Sequence, residues 1–121
     1  MSKSESTIQN EIRLALSPFG IVLRLNSGKF WQGKRVWSNE FQTYVLTDLR
    51  PVQGCPEGTP DLLYLGEDGT VVFVECKNPH GVAREKQKRF LELMKKFGIK
   101  AGIARSTTDA LNLIGEENDS L

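Results

Sequence analysis

A chain of 121 residues, 39% hydrophobic and 26% charged, has room for one folded domain with a proper core and too little for two. No apolar run approaches the roughly 20 residues needed to cross a bilayer, and the opening Met1-Ser2-Lys3-Ser4-Glu5 lacks the form of a signal peptide. The net charge of +1 argues neither for nor against a nucleic-acid partner.

Cys55 and Cys76 form no C-x-x-C and, with the single His80, supply too few soft ligands for a structural zinc site. The expectation is a reduced, cytoplasmic protein with one domain over residues 1–115 and an acidic, disordered tail over 116–121.

Ser6-Thr7-Ile8-Gln9 has the form of a capping box, and Ile8, Ile12, Ala15 and Leu16 follow helical spacing up to the Ser17-Pro18 stop. Glu11 lies at the margin of that apolar stripe, where its carboxylate could either reach inward to a site or be solvated on the helix surface. Gly20 closes the helix, and Ile21 to Leu25 reads as the first strand.

Asn26-Ser27-Gly28 breaks the strand, and a segment follows in which aromatic residues alternate with bases: Phe30, Trp31, Lys34, Arg35, Trp37, Phe41 and Tyr44. Pieces near Arg35 to Trp37 and Thr43 to Leu46 suggest a second, looser hairpin. Aromatics beside bases stack on exposed nucleobases and hold phosphates. Aromatics at alternating positions also pack in a core or against a partner subunit, and that reading comes first. Pro51, Gly54, Pro56 and Gly58 make the approach to Asp61 a rigid, irregular loop.

Leu62 to Leu65 and Val71 to Val74 are the arms of a β-hairpin, with Gly66 and Gly69 supplying its turn. With Asp68 at the tip, opposed residues are those equidistant from it, so Asp61 falls opposite Glu75. Directly opposed side chains share a sheet face with Cβ atoms roughly 5 Å apart, and Lys77, two residues beyond Glu75, points to that face as well. Two apposed carboxylates repel unless a cation compensates. Hard oxygen ligands of this kind suit Mg²⁺ or Mn²⁺. Asp61, Glu75 and the backbone carbonyl of Cys76 could hold the ion, and Lys77 could bind an attacking water or a phosphate. The same residues could also form an ordinary salt-bridged cluster. Cys76 points its thiol to the opposite, core face.

Asn78-Pro79-His80-Gly81 turns the chain out of the sheet before a helix from about Val82 to Lys96, ended by Gly98. Val82, Phe90, Leu93 and Phe97 form its apolar stripe, and Gln87 shares a side with Phe90. His80, in a turn, fits loop chemistry or a phosphate contact better than general-base work. Ile99 to Ala104 reads as a further strand, joined to the Glu75 strand by that helix as a right-handed crossover. Ser106 or Thr107 then caps a last helix over Thr108 to Ile114 with Ala110, Leu111 and Ile114 inward. The order predicts an α/β fold with a mixed central β-sheet flanked by helices.

Basic residues are segregated: Arg24, Lys29, Lys34 and Arg35 stand together without an acid, and eight bases between Lys77 and Lys100 face only Glu85 and Glu92. Arg24, Lys29, Lys34, Arg35, Arg84 and Lys88 are the candidate nucleic-acid contacts, although lysines also simply solvate a helix.

Pro60-Asp61 followed after a hairpin by Glu75-Cys76-Lys77 resembles the signature of the PD-(D/E)xK nuclease superfamily. With Gly58-Thr59 before it, Gln87 and Phe90 on the following helix and Glu11 on the first, the chain is most similar to a stand-alone VRR-NUC domain from about Ile8 to Ile114. The resemblance implies a restriction-endonuclease-like core and Gln87 facing the metal site. It also implies Glu11 as a further acid of the catalytic and metal set with Asp61, Glu75 and Lys77. Family members more often carry an aliphatic residue at the place of Cys76. The activity implied is that of a Mg²⁺-dependent, structure-selective DNA endonuclease resembling Holliday-junction resolvases. Such an enzyme works in DNA repair or recombination as a homodimer, because paired nicks in a four-way junction need two sites. The alternatives are a general or nicking nuclease of plain duplex, or a non-catalytic nucleic-acid binder on the same scaffold.

Overall fold

The structure, a computed structural model, describes residues 3–116. The expected acidic tail lies, apart from Glu116, outside the described residues. Helix α1 (Glu5–Leu16) leads into strand β1 (Gly20–Arg24). Strands β2 (Lys29–Ser38) and β3 (Thr43–Gln53) form a ribbon, and β4 (Leu62–Gly66) and β5 (Val71–Cys76) the central hairpin. Helix α2 (Glu85–Lys96), strand β6 (Lys100–Ala104) and helix α3 (Thr107–Leu113) complete the fold.

One four-stranded sheet runs β1-β4-β5-β6. Its first two pairings are antiparallel and the last is parallel, with α2 connecting β5 to β6, so the sheet is mixed as expected. The hairpin register follows from its turn: Leu62 pairs with Val74, Leu63 with Phe73, Tyr64 with Val72 and Leu65 with Val71, all equidistant from Asp68. Gly69 sits at φ +84°, a left-handed position that glycine adopts without a Cβ penalty. Asp68 Oδ1 fastens the turn by accepting from the Thr70 amide at 3.0 Å.

Alternation then sorts the side chains. Leu62, Tyr64, Val72, Val74 and Cys76 face Ile8, Ile12 and Leu16 of α1 and Ala110 and Ile114 at α3, making the main core. The other face meets α2, where Phe90 packs edge-on against Phe73 with ring centroids 5.3 Å apart.

Three local expectations change. Helix α1 starts at Glu5, not beyond Ser6: Ser4 Oγ accepts from the Thr7 amide at 3.2 Å and caps the helix earlier. That adds an acid to the first turn, where the positive end of the helix favours a carboxylate.

Helix α2 starts at Glu85, so Val82 lies outside it and is 75% exposed. Leu93 and Phe97 are exposed as well, and Met94 is the helix residue that is buried. A stripe counted from Val82 therefore has the wrong origin.

The third change is the ribbon. The pieces expected to form a looser hairpin do pair, Arg35 with Leu46 and Trp37 with Tyr44, but the strands run on to Lys29 and Gln53, taking Pro51 into β3. A bulge between Gln32 and Lys34, with Asp48 at φ +53°, shifts the register midway. Trp31, Trp37, Phe41 and Tyr44 are all more than half exposed, which overturns packing in the chain's own core.

Candidate active site

The open end of the hairpin gathers the site. One residue beyond the last β4–β5 pair stand Asp61 and Glu75, and Asp61 Oδ2 accepts from the Cys76 amide at 2.9 Å. Asp61 is fixed from its other side too, since its carbonyl receives the Leu25 amide at 2.8 Å. Glu75 is 1% exposed and Lys77 6% exposed. Burying such groups is costly unless they are paired. Lys77 Nζ lies 3.8 Å from Glu75 Oε1 and 3.5 Å from Glu5 Oε1.

The Gln87 side chain acts at both ends. Its Oε1 accepts from the Arg84 amide at 2.8 Å, closing the first turn of α2, while its Nε2 donates to Glu75 Oε1 at 3.2 Å. Sequence reading joined Gln87 with Phe90; the structure brings Gln87 to the site and gives Phe90 to packing on Phe73.

Glu11 is not brought to the site. It pairs with Lys3 at 2.9 Å on the helix surface. The acid that α1 contributes is Glu5, which with Asp61 and Glu75 forms a cluster whose carboxylate oxygens lie within 4.8 Å of one another. Sequence reading missed Glu5, yet a signal was present: Glu5, Ile8, Ile12 and Leu16 share one face of the helix, so Glu5 extends the buried stripe by one turn.

Burial pushes the Glu75 carboxyl up from its ordinary 4.5 to about 8; the neighbouring Asp61 charge adds to the rise and Lys77 opposes it. Among the described residues, Glu75 Oε2 is the buried side-chain oxygen or nitrogen with no hydrogen-bond partner. An orphaned carboxylate oxygen beside two further carboxylates fits a cation, and the all-oxygen set suits a hard divalent one. Glu5, Asp61 and Glu75 are the residues that would hold it. The Cys76 thiol lies in the main core, and burial followed by the Asp61 charge pushes it up, away from nucleophilic use.

A cleft of about 480 Å³ runs beside the site, lined by Ser27 and Gly28 at the ribbon base, Glu57 and Gly58 before Asp61, and Arg84 to Gln87. Gly58 is required there: its φ is +92° and a Cβ would stand 2.5 Å from the Lys86 carbonyl. Glu57 and Lys86 form an ion pair across the cleft wall. Of the candidate nucleic-acid contacts, Arg84 lines this cleft, Lys88 is exposed on α2 and Arg24 is exposed at the end of β1. Lys29, Lys34 and Arg35 lie exposed on the ribbon, with Arg35 stacked 3.7 Å over the Tyr44 ring. His80 is exposed in its turn, its amide donating to Asn78 Oδ1.

Among protein families, the model described as VRR-NUC domain matches residues 4–108, nearly the whole chain, as the signature around Asp61, Glu75 and Lys77 led one to expect. The fold of that family is restriction-endonuclease-like, in keeping with the mixed sheet and flanking helices. No curated protein matches the chain.

Proposed function

We propose, because the chain belongs to the VRR-NUC domain family, that its nuclease-type activity is Mg²⁺-dependent hydrolysis of DNA phosphodiesters, directed at branched DNA and carried out by a homodimer. The observation that carries the chemistry is the buried Glu75 with its unpartnered Oε2 beside Asp61 and Glu5. When bound, a divalent cation there supplies positive charge at the scissile phosphate and makes water more acidic. Glu5, Asp61 and Glu75 would hold that cation, with the Cys76 carbonyl as a further ligand. Lys77, tethered between Glu75 and Glu5, presents its amine to the attacking water or the phosphate oxygen. Gln87 holds Glu75 in the orientation this requires.

Selection of branched DNA is supported by what surrounds the site. The cleft lined by Arg84 leads from Gln87 to the ribbon base, and the ribbon itself carries the exposed bases Lys29, Lys34 and Arg35, which can meet further phosphates. On one ribbon face Trp31, Leu46, Leu49, Trp37 and Tyr44 are each at least half exposed, the kind of apolar strip a second copy covers.

The test is cleavage of labelled four-way junction, flap and plain duplex DNA in Mg²⁺, beside EDTA and Lys77→Ala controls, with the mass in solution measured in parallel. Paired symmetric nicks in the junction by a dimer, lost in both controls, are expected. Equal cutting of plain duplex would reduce the reading to a general nuclease. Binding without cleavage by well-folded protein would leave only a nucleic-acid binder.

A further inference from the structure

Arg105 immediately follows β6, and its guanidinium is committed to the backbone of the turn after β5. Arg105 Nη1 donates to the carbonyl of Asn78 at 2.7 Å and to that of Gly81 at 2.6 Å, the two ends of the turn that follows Lys77. The turn closes on itself as well, since the Gly81 amide donates to the Asn78 carbonyl at 3.0 Å. Arg105 is itself anchored: its amide donates to Asp109 Oδ2 at 2.9 Å, and the Asp109 amide donates to Ser106 Oγ.

The turn is the wall of the Lys77 side chain. A Cβ built on Gly81 would stand 3.3 Å from Lys77 Cδ and 3.2 Å from Asn78 Oδ1, so the bare glycine backbone lies directly against the lysine stem. The Lys77 backbone is held from the other side, where its amide donates to the Ala104 carbonyl at 3.1 Å. Ala104 and Arg105 are consecutive, so the end of β6 clamps the Lys77 backbone with one residue and its side-chain wall with the next. The chain then runs on from Gly81 to α2 and Gln87, so both groups that touch Glu75 Oε1 depart from this turn.

We propose that Arg105 is a positioning residue: through the Asn78–Gly81 turn it sets where Lys77 places its amine relative to Glu75. The inference rests on the nuclease reading for its effect on rate, but not for its effect on Lys77 itself. Misplacing a reacting group by a fraction of the chain's reach lowers turnover and leaves binding of the extended substrate nearly unchanged.

Two readouts test it on the full chain. The first is the rate of Lys77 acetylation by an amine-reactive ester, followed by mass spectrometry with exposed Lys95 as the internal reference. The second is kcat and KM on the best DNA substrate. Arg105→Ala is compared with Gly81→Ala, whose added methyl presses on the Lys77 stem while the Arg105 side chain stays in place. Arg105→Lys can give both bonds from its one ammonium, and Ile114→Val, a truncation in the main core, is the control for a general loss of packing. The expected result is Lys77 labelling clearly faster than in the wild type and about tenfold lower kcat with KM nearly unchanged in Arg105→Ala and Gly81→Ala. Arg105→Lys recovers part of both, and Ile114→Val changes neither. Labelling of Lys77 no faster than in Ile114→Val, or a loss confined to KM, overturns the proposal. If the wild-type protein cuts no DNA, the nuclease reading falls by itself and the labelling result still decides the role of Arg105.

Discussion

Gln87 Nε2 donates to Glu75 Oε1 across 3.2 Å, which ties the first turn of α2 to the most deeply buried acid of the site. The same side chain closes that turn through Oε1, so one residue couples helix start and site geometry. Gln87→Ala is therefore expected to cost about 1–2 kcal/mol of stability, the range for a lost cap and a buried acceptor left bare. It should also lower kcat by about tenfold or more through loss of orientation. Urea unfolding beside single-turnover kinetics checks both. Full activity in Gln87→Ala would show that Glu75 needs no orienting donor.

Glu75 gives the protein a stability that depends on pH and on metal together. Its folded-state pKa of about 8 lies above its ordinary 4.5, so the stabilisation is complete below about 4.5 and is lost as pH rises through 8. In EDTA, the melting temperature should fall between pH 5 and pH 9, by an amount on the order of a few kcal/mol in stability. Glu75→Gln should flatten this dependence. Because a ligating carboxylate must lose its proton, Mg²⁺ should bind about tenfold more tightly for each unit that the pH rises toward 8, and release a proton as it does. Calorimetric titration in two buffers of different ionisation heat measures that proton. Binding without proton release would show that Glu75 is already ionised in the free protein.

Glu5 and Glu11 sit on the same helix with opposite assignments. Glu5→Ala removes one of three clustered carboxylates and is expected to weaken Mg²⁺ binding and lower activity by at least about tenfold, the usual cost of an orienting or ligating group in such a site. Glu11→Ala removes only a surface pair with Lys3, worth about 0–1 kcal/mol, and should leave the cleavage rate unchanged. Side-by-side rates at limiting and saturating Mg²⁺ separate the two, and a rate loss in Glu11→Ala alone would reverse the assignment.

What was legible in the sequence depended on how local the deciding interaction is. The β4–β5 register was readable because a five-residue turn with Gly66 and Gly69 determines it, and with it came Asp61, Glu75 and Lys77 on one side. The choice between Glu11 and Glu5 was harder, because both lie on α1 near its apolar stripe and the carboxylate that meets Asp61 and Glu75 is decided by how the helix sits against the hairpin. The aromatic ribbon was harder still. Alternation of Trp31, Arg35 and Trp37 says that they share a face, and nothing local says whether that face is covered. Arg105 carries no motif, because its two bonds go to backbone carbonyls that any residue could offer.

The uncovered ribbon face leads to the last expectation. Trp31 is 65% exposed and Leu49 53% exposed, so replacing both with serine removes little packing within one chain and should leave the stability of the isolated subunit within about 1 kcal/mol of wild type. If a second copy covers the strip, those two substitutions remove apolar area at about 25 cal/mol per Å² and weaken association by several kcal/mol. Light scattering should then report half the wild-type mass. The two kinds of cleavage should separate with it: each subunit keeps its own Asp61, Glu75 and Lys77 and still nicks, while simultaneous paired nicks in a four-way junction disappear. A double variant that remains dimeric would place the interface on another face; one that becomes monomeric yet still cuts both strands in concert would detach dimerisation from the paired reaction.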